Sequence, residues 1–339
     1  MRTDPSASKY NNTMNLPKQI LEANTLWLST HKNADGDGLG SEVAFYYALK
    51  SLGKKVNIIH NDAAAKRYQF LTTNIEIKNV SKLEKHSFSA NDLVLIFDTH
   101  DPLLCFPLFG FLQEQQIPLV FIDHHVPVKQ NLKDVSYQID ESACCTGEIV
   151  YELIKKMKVA LTAEIATPLY ASLIFDTQNF KFIRGSTRPF LMAAELIQSG
   201  ADHSLIQKHL YDNWTVQKMN CLASLIKTVD YKNEQKIAVI KMTKQNLLDH
   251  QLESDDVSDI VDLFMGIQSL DAAIVIREEE PAYYKLSFRS RRFEVLSWAQ
   301  SFNGGGHLYS SGAWVKDSLA NIESQINSLI AAQLQRSVN

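Results

Sequence analysis

Along the first two-thirds of the chain, short apolar runs end in aspartate or histidine, and stretches of helical spacing follow them. Leu26–Leu28, Val56–Ile59, Leu93–Phe97 and Pro118–Ile122 have the length and composition of buried strands, while Glu42–Leu52 and Gly147–Met157 carry helical periodicity. This alternation predicts βαβ units: an α/β fold with a mostly parallel sheet and flanking helices. Ligands in such sheets bind beyond the carboxyl ends of the strands, which is where the acidic and histidine residues fall here.

From about Arg188 to Val229 the pattern turns helical, and polar Asp230–Lys236 leads into a new strand at Ile237–Met242. The remainder reads as strand, helix, strand, strand, helix, a glycine run and a final helix near Leu319–Leu334. A length of 339 residues suits two domains. The expected division is a polar tail at 1–14, a first domain at 15–210, a helical linker at 211–232 and a smaller α/β domain at 233–339.

Charge narrows the partners. With 34 Lys+Arg against 38 Asp+Glu, the net charge is −4, which counts against a sequence-independent binder of long nucleic acid and leaves short anionic substrates open. The apolar segment Leu103–Leu112 is broken by Pro107 and Gly110 and is too short to span a bilayer; a buried helix is its expected form, a partner or dimer contact the alternative. The polar start lacks a signal-peptide run, so a cytoplasmic protein without membrane attachment is expected. Cys105, Cys144, Cys145 and Cys221 show no metal or redox spacing and read as free thiols.

Four sites put carboxylates or histidines at the ends of apolar stretches, three of them on predicted strands. They are His31, Asp35 and Asp37 after Leu26–Leu28, Asp98 after Leu93–Phe97, Asp123-His124-His125 after Leu119–Ile122, and Asp176 after Leu169–Phe175. One such aspartate alone is more often a helix cap than a ligand. Four sites with adjacent histidines exceed what caps require, and clustered carboxylates repel one another unless a cation neutralises them. Carboxylates with few imidazoles and no thiolate favour manganese or magnesium over zinc or copper. The donor count overfills one tetrahedral site and suits two octahedral ions bridged by a carboxylate, an arrangement that serves phosphoester hydrolysis. Gly36, Gly38 and Gly40 are expected to turn the backbone tightly between these groups, with Ser41 opening the following helix.

In the second domain, Asn303-Gly304-Gly305-Gly306-His307 lies between predicted helical segments, either as a flexible hinge or as a bare-backbone nest for a phosphate or nucleobase with His307 as donor. Arg289-Ser290-Arg291, after the strand Tyr284–Phe288, adds cationic donors suited to phosphate.

In order along the chain, the His-x-x-x-Asp-x-Asp run, the strand-end Asp98, Asp123-His124-His125, Asp176, Arg-Ser-Arg and Gly-Gly-Gly-His resemble the DHH phosphoesterase superfamily with its associated C-terminal substrate-binding domain, from about Leu26 to Trp314. The resemblance is strongest to the small two-domain branch of oligoribonucleases (nano-RNases) that also dephosphorylate 3′-phosphoadenosine 5′-phosphate. It implies one metal held by His31, Asp35 and Asp98 and another by Asp37, Asp98, His124 and Asp176, with Asp98 as the bridge. It further implies that His125 contacts the scissile phosphate and that Asp123 orients a histidine. Arg289, Ser290, Asn303, Gly304, Gly305, Gly306 and His307 would grip the rest of the nucleotide from across an interdomain cleft. Ala34 stands where relatives commonly have proline, Asn303 where they have a first glycine, and Ser310-Ser311 where they carry small apolar residues.

The leading expectation is a phosphodiesterase using two divalent ions, manganese first with magnesium or cobalt as alternatives. It would trim short RNA, including linear dinucleotides, to mononucleotides. A second reading keeps the chemistry and changes the substrate to phosphoadenosine phosphate, cyclic dinucleotides, polyphosphate or pyrophosphate; a third is a non-catalytic nucleotide sensor. A homodimer is compatible with the sequence.

Overall fold

The computed structural model describes residues 15–84, 87–89, 91–126, 132 and 135–336, so the tail expected at 1–14 lies outside the described residues. The chain divides into two compact units, 1–213 and 214–339.

Among the described residues the first unit holds six strands: β1 (Thr25–Thr30), β2 (Lys55–His60), β3 (Ile77–Asn79), β4 (Leu93–Phe97), β5 (Leu119–Asp123) and β6 (Val135–Ile139). Their order is β3-β2-β1-β4-β5-β6, and every pairing is parallel. The order reverses between β1 and β4, which opens a crevice beyond their carboxyl ends. Side chains alternate between two cores. Leu26, Leu28, Leu95, Phe97, Val120 and Ile122 join one cluster, while Trp27, Val94, Ile96, Leu119 and Phe121 join another on the opposite face. Coverage of both faces explains why the strands read as unbroken apolar runs.

The helices are α1 (Leu16–Glu22), α2 (Gly36–Ser51), α3 (Gln69–Thr72), α4 (Leu108–Glu114), α5 (Thr146–Lys156), α6 (Ala163–Asp176), α7 (Arg188–Gln198) and α8 (His203–Leu210). Two expectations are corrected here. Helix α2 starts at Gly36 rather than at Ser41, because Asp35 caps it by accepting hydrogen bonds from the amides of Asp37 (3.0 Å) and Gly38 (3.2 Å). Its glycines therefore do not form a turn; they let the helix approach its neighbours. A Cβ on Gly38 would stand 2.3 Å from Thr30 Oγ1, and one on Gly40 would stand 2.5 Å from the Pro168 carbonyl oxygen in α6. The segment Leu103–Leu112 is also only partly a buried helix. Cys105, Leu108, Phe109 and Leu112 are buried under the sheet, whereas Leu103, Leu104 and Phe106 are exposed on a 3-10 turn at Pro102–Cys105 and the residue after it. All four cysteines are buried and free.

The second unit holds α9 (Val216–Ile226), α10 (Lys244–Asp249), α11 (Ile260–Phe264), α12 (Leu296–Gln300) and α13 (Leu319–Arg336). Its strands are β7 (Asp230–Lys232), β8 (Ile237–Met242), β9 (Ala272–Glu280), β10 (Tyr283–Ser290), β11 (Gly305–His307) and β12 (Ser310–Lys316). They form one mixed sheet in the order β11-β12-β10-β9-β8-β7, antiparallel except for β8 with β9. The glycine run thus lies on an edge strand paired to β12, not between two helices, and polar Asp230–Lys232 is itself a strand. One face packs through Ile274, Ile276, Leu286 and Phe288 against α12 and Ile322, Ile326 and Ile330 of α13. On the other face α9, α10 and α11 cover β8 and β9 through Ile240, Ala273 and Val275. Among the described residues no helix is long and apolar enough to cross a membrane.

Candidate metal centre

Beyond the carboxyl ends of β1, β4 and β5, the first unit gathers acidic and imidazole side chains from five elements. His31 follows β1, Asp35 and Asp37 open α2, Asp98 follows β4, Asp123 ends β5 with His124 and His125 after it, and Asp176 closes α6. Asp176 therefore arrives on a helix rather than a strand. Asp98 adopts φ 63°, the left-handed region that aspartate tolerates better than most residues, and its amide donates to the Ile122 carbonyl (2.9 Å). That bend turns the Asp98 carboxylate away from the strand and into the crevice.

Two groups result, joined by Asp98. In one, His31 Nε2 lies 3.5 Å from Asp98 Oδ2 and 3.9 Å from Asp35 Oδ1. In the other, His124 Nε2 lies 3.1 Å from Asp176 Oδ2, 3.6 Å from Asp37 Oδ2 and 3.7 Å from Asp98 Oδ1. In the sets His31–Asp35–Asp98 and Asp37–His124–Asp176 the donor atoms lie within 4.8 Å of one another, close enough to hold one ion each.

The donor set suits divalent cations. His31 Nδ1 donates to the Lys32 carbonyl (2.7 Å) and His124 Nδ1 to that of Ala143 (3.3 Å), so each ring presents its Nε2 to the carboxylates. Backbone carbonyls fixing one ring nitrogen are a recurrent support for metal-ligating histidines. The charges are unbalanced as well. Burial and the Asp176 charge push the Asp37 carboxyl up to about 6, and burial with the Asp37 charge pushes Asp98 well above the usual carboxylate range. Burial alone would lower His124, but Asp176 outweighs it and holds the imidazole up at about 9. Cations bound in the crevice would relieve this crowding.

Asp37 has a structural task that the sequence did not reveal. Its carboxylate accepts from the amides of Thr146 (2.8 Å) and Gly147 (3.2 Å), the first two residues of α5, which has no side-chain cap of its own. Ser172 Oγ (2.5 Å) and Ser41 Oγ (3.3 Å) donate to it too. A residue 109 positions away thus caps α5 and pins α2, α5 and α6 together. Thr146 Oγ1 meanwhile donates to Asp98 Oδ1 (3.0 Å).

Asp123 stands behind the histidines. Its Oδ1 accepts from His125 Nδ1 (2.7 Å) and from the amides of His124 (2.8 Å) and His125 (3.2 Å), and its Oδ2 accepts from His100 Nδ1 (2.5 Å). Burial would raise this carboxyl, but the His125 charge and these hydrogen bonds hold it well below its ordinary range. Sequence reasoning missed His100, two positions past Asp98 and buried. It also missed Arg184, whose Nη2 lies 3.4 Å from His124 Nδ1. For His100 the only sequence signal was proximity to Asp98; for Arg184 there was none. We expect Asp123→Asn to lower activity by about 10- to 100-fold, because the amide presents an N–H where one of its histidines needs an acceptor. Steady-state kinetics on the variant check this.

In the second unit the anticipated binding residues divide by face. Arg289 lies opposite Ser310, which lies opposite His307, while Gly305 pairs with Gly312, so Arg289, Gly305 and His307 share one face of the sheet. The others serve the backbone. Ser290 Oγ donates to the Asp271 carbonyl (3.1 Å) and accepts from the amides of Arg292 and Phe293 (3.1 Å each). A Cβ on Gly304 would stand 2.6 Å from the Ala313 Cβ, and one on Gly306 would stand 2.8 Å from the Ser310 carbonyl oxygen. Asn303 adopts φ 57°, a left-handed conformation that asparagine tolerates better than most residues.

Residues 25–173 match the DHH family N-terminal domain, and residues 234–336 match the DHHA1 domain. The chain belongs to the DHH phosphoesterase superfamily and is a hydrolase. It is similar, at 26% identity over 320 residues, to the bifunctional oligoribonuclease and PAP phosphatase NrnA of Thermus thermophilus, with 91% of this chain and 90% of that protein covered. Over 151 residues, 44% of this chain, it is 26% identical to a probable manganese-dependent inorganic pyrophosphatase of Enterococcus faecalis. The crystal structure of an exopolyphosphatase-related protein from Bacteroides fragilis shares the fold with a TM-score of 0.82 at 20% identity, covering 92% of this chain and 93% of that one.

Proposed function

We propose that this chain is a two-metal phosphodiesterase that trims very short RNA, linear dinucleotides included, to mononucleotides, and that it also removes the 3′-phosphate of 3′-phosphoadenosine 5′-phosphate. The carrying observation is the pair of donor groups joined through Asp98 at the point where the strand order reverses. Similarity to the Thermus oligoribonuclease and phosphatase over most of both chains supports the substrate class.

His31, Asp35 and Asp98 would hold one ion, and Asp37, Asp98, His124 and Asp176 the other. Bound there, the ions supply neutralisation of phosphate oxygens and activation of water. An all-carboxylate and imidazole donor set favours manganese, with magnesium or cobalt as alternatives, and the name of the Enterococcus relative supports manganese. The chain's own residues do the rest. Asp123 accepts the Nδ1–H of His125 (2.7 Å) and so sets the orientation of the ring that is to meet the scissile phosphate. Burial would lower His125, but the Asp123 charge outweighs it and holds the ring above its ordinary value. In the second domain Arg289 and His307 share one face of the sheet and would bind nucleotide. The −4 net charge supports short substrates over long ones.

Chelation tests the reading. Treatment with excess EDTA is expected to abolish hydrolysis of a diadenosine dinucleotide and of phosphoadenosine phosphate, and manganese added after the chelator has been removed is expected to restore both. Undiminished turnover after chelation contradicts it.

A further inference from the structure

The open face of the second sheet continues past the residues already discussed. Three rows of side chains cross it, set by strand register. Arg277, Lys285 and Trp314 form the first, with Lys285 opposite both others. Val275, Ser287, Gly312 and Gly305 form the second, and Ala273, Arg289, Ser310 and His307 the third. Directly opposed residues share a face, and rows two residues apart stand about 7 Å from each other. Helices α9 to α11 cover Val275 and Ala273, and Asp262 of α11 reaches Arg289 on β10, whereas Trp314 on β12 stays exposed.

Three features set the first row apart. Trp314 is 43% exposed, although burying an indole is the ordinary outcome. It stacks on Tyr283 with centroids 5.5 Å apart and planes 19° apart, while Lys285 Nζ lies 4.5 Å from its ring centroid. The neighbouring guanidiniums are neutralised, Arg277 by Glu279 (2.5 Å) and Arg289 by Asp262 (2.8 Å), whereas no carboxylate among the described residues lies within ion-pair distance of Lys285. Burial, then the Arg277 and Arg289 charges, pulls the Lys285 ammonium down to about 8 against the opposing charge of Glu279. The middle row is bare where it adjoins them: a Cβ on Gly305 would meet nothing within 4 Å, and one on Gly312 would come 3.7 Å from Lys285 Cε.

We propose that Trp314 and Lys285 form a nucleotide platform, in which a nucleobase stacks on the indole and an attached phosphate meets the ammonium over the bare floor of Gly305 and Gly312. The occupant is a nucleotide because the face pairs an exposed aromatic surface with an unneutralised cation; a phosphate chain without bases uses only the second. This deepens the proposed function and rests on it. It makes the second domain select nucleotides over polyphosphate or pyrophosphate, with Trp314 as the specificity-determining residue.

Two readouts on the full chain test the platform. The first follows intrinsic fluorescence while AMP is titrated into the wild type and into Trp314→Phe; Trp27, Trp214 and Trp298 remain in both. Quenching that is present in the wild type and absent in the variant is expected, and equal quenching in both overturns the platform. The second compares kinetics on a dinucleotide. Base stacking predicts that Trp314→Ala raises KM roughly tenfold to a hundredfold with kcat little changed, that Trp314→Phe recovers most of the loss, and that Lys285→Gln also raises KM. Unchanged KM in Trp314→Ala overturns the inference while leaving the metal chemistry standing. A wild type that turns over no nucleotide defeats the proposed function instead, and the fluorescence comparison still decides the platform.

Discussion

Asp98→Asn is expected to lower kcat by at least about a thousandfold on every substrate, because cations stabilise the charge of a phosphoryl transition state by several kcal/mol and each 1.4 kcal/mol or so is a factor of ten. Asp98 contributes to both donor groups, with Oδ2 3.5 Å from His31 Nε2 and Oδ1 3.7 Å from His124 Nε2. Asparagine keeps the shape, keeps an acceptor for Thr146 Oγ1 and tolerates the φ of 63°. The variant should therefore fold normally while losing one carboxylate charge between the two ion positions. Manganese binding followed by electron paramagnetic resonance should show fewer than two ions per chain, with a thermal midpoint near that of the wild type. Turnover at the wild-type rate would remove Asp98 from the bridging role.

Gly40→Val is expected to have the largest effect on stability. A Cβ at this position would stand 2.5 Å from the Pro168 carbonyl oxygen and 2.9 Å from the Ser172 amide nitrogen, both backbone atoms of α6. Neither can rotate aside, so α2 must separate from α6, and overpacking of that kind costs about 3 kcal/mol or more. For a unit of this size the loss corresponds to roughly 10 °C in Tm. Activity should fall as well, because Ser172 donates to Asp37 and Asp176 closes the same helix. Calorimetry on the variant checks the first statement and metal-saturated kinetics the second. A midpoint within a degree or two of the wild type contradicts the close-approach account of this glycine.

How far the sequence discloses such a fold depends on the kind of information each residue carries. Leu93–Phe97 and Leu119–Ile122 are legible because a strand buried on both faces has no polar alternation to confuse it. The gathering of His31, Asp98 and Asp123 was legible too, since each follows or ends such a strand and parallel strands share one carboxyl edge. The glycines of α2 were misread for a physical reason. Gly-x-Gly-x-Gly is a turn signal by local propensity, and only the nearness of α6, more than a hundred residues on, makes a helix with bare surface the better solution. Asp37 as the cap of α5 is a pairing across 109 positions that no local pattern encodes. β12 was missed because Ser310-Ser311-Gly312 lacks the apolar alternation of a strand; its pairing with β10 supplies what propensity does not. Lys285 and Trp314 look unrelated along the chain and meet only through that same register.

The central claim, a metal-dependent hydrolase for the shortest nucleic acids, is tested most directly by manganese-supplemented hydrolysis of 5′-phosphorylated RNA across lengths of two to about ten nucleotides. Rapid cleavage of the shortest oligomers and a steep fall in kcat/KM as length increases are expected, since a chain of net charge −4 is poorly suited to gripping many phosphates. A rate that rises with length, or turnover of pyrophosphate with none of dinucleotide, would contradict it.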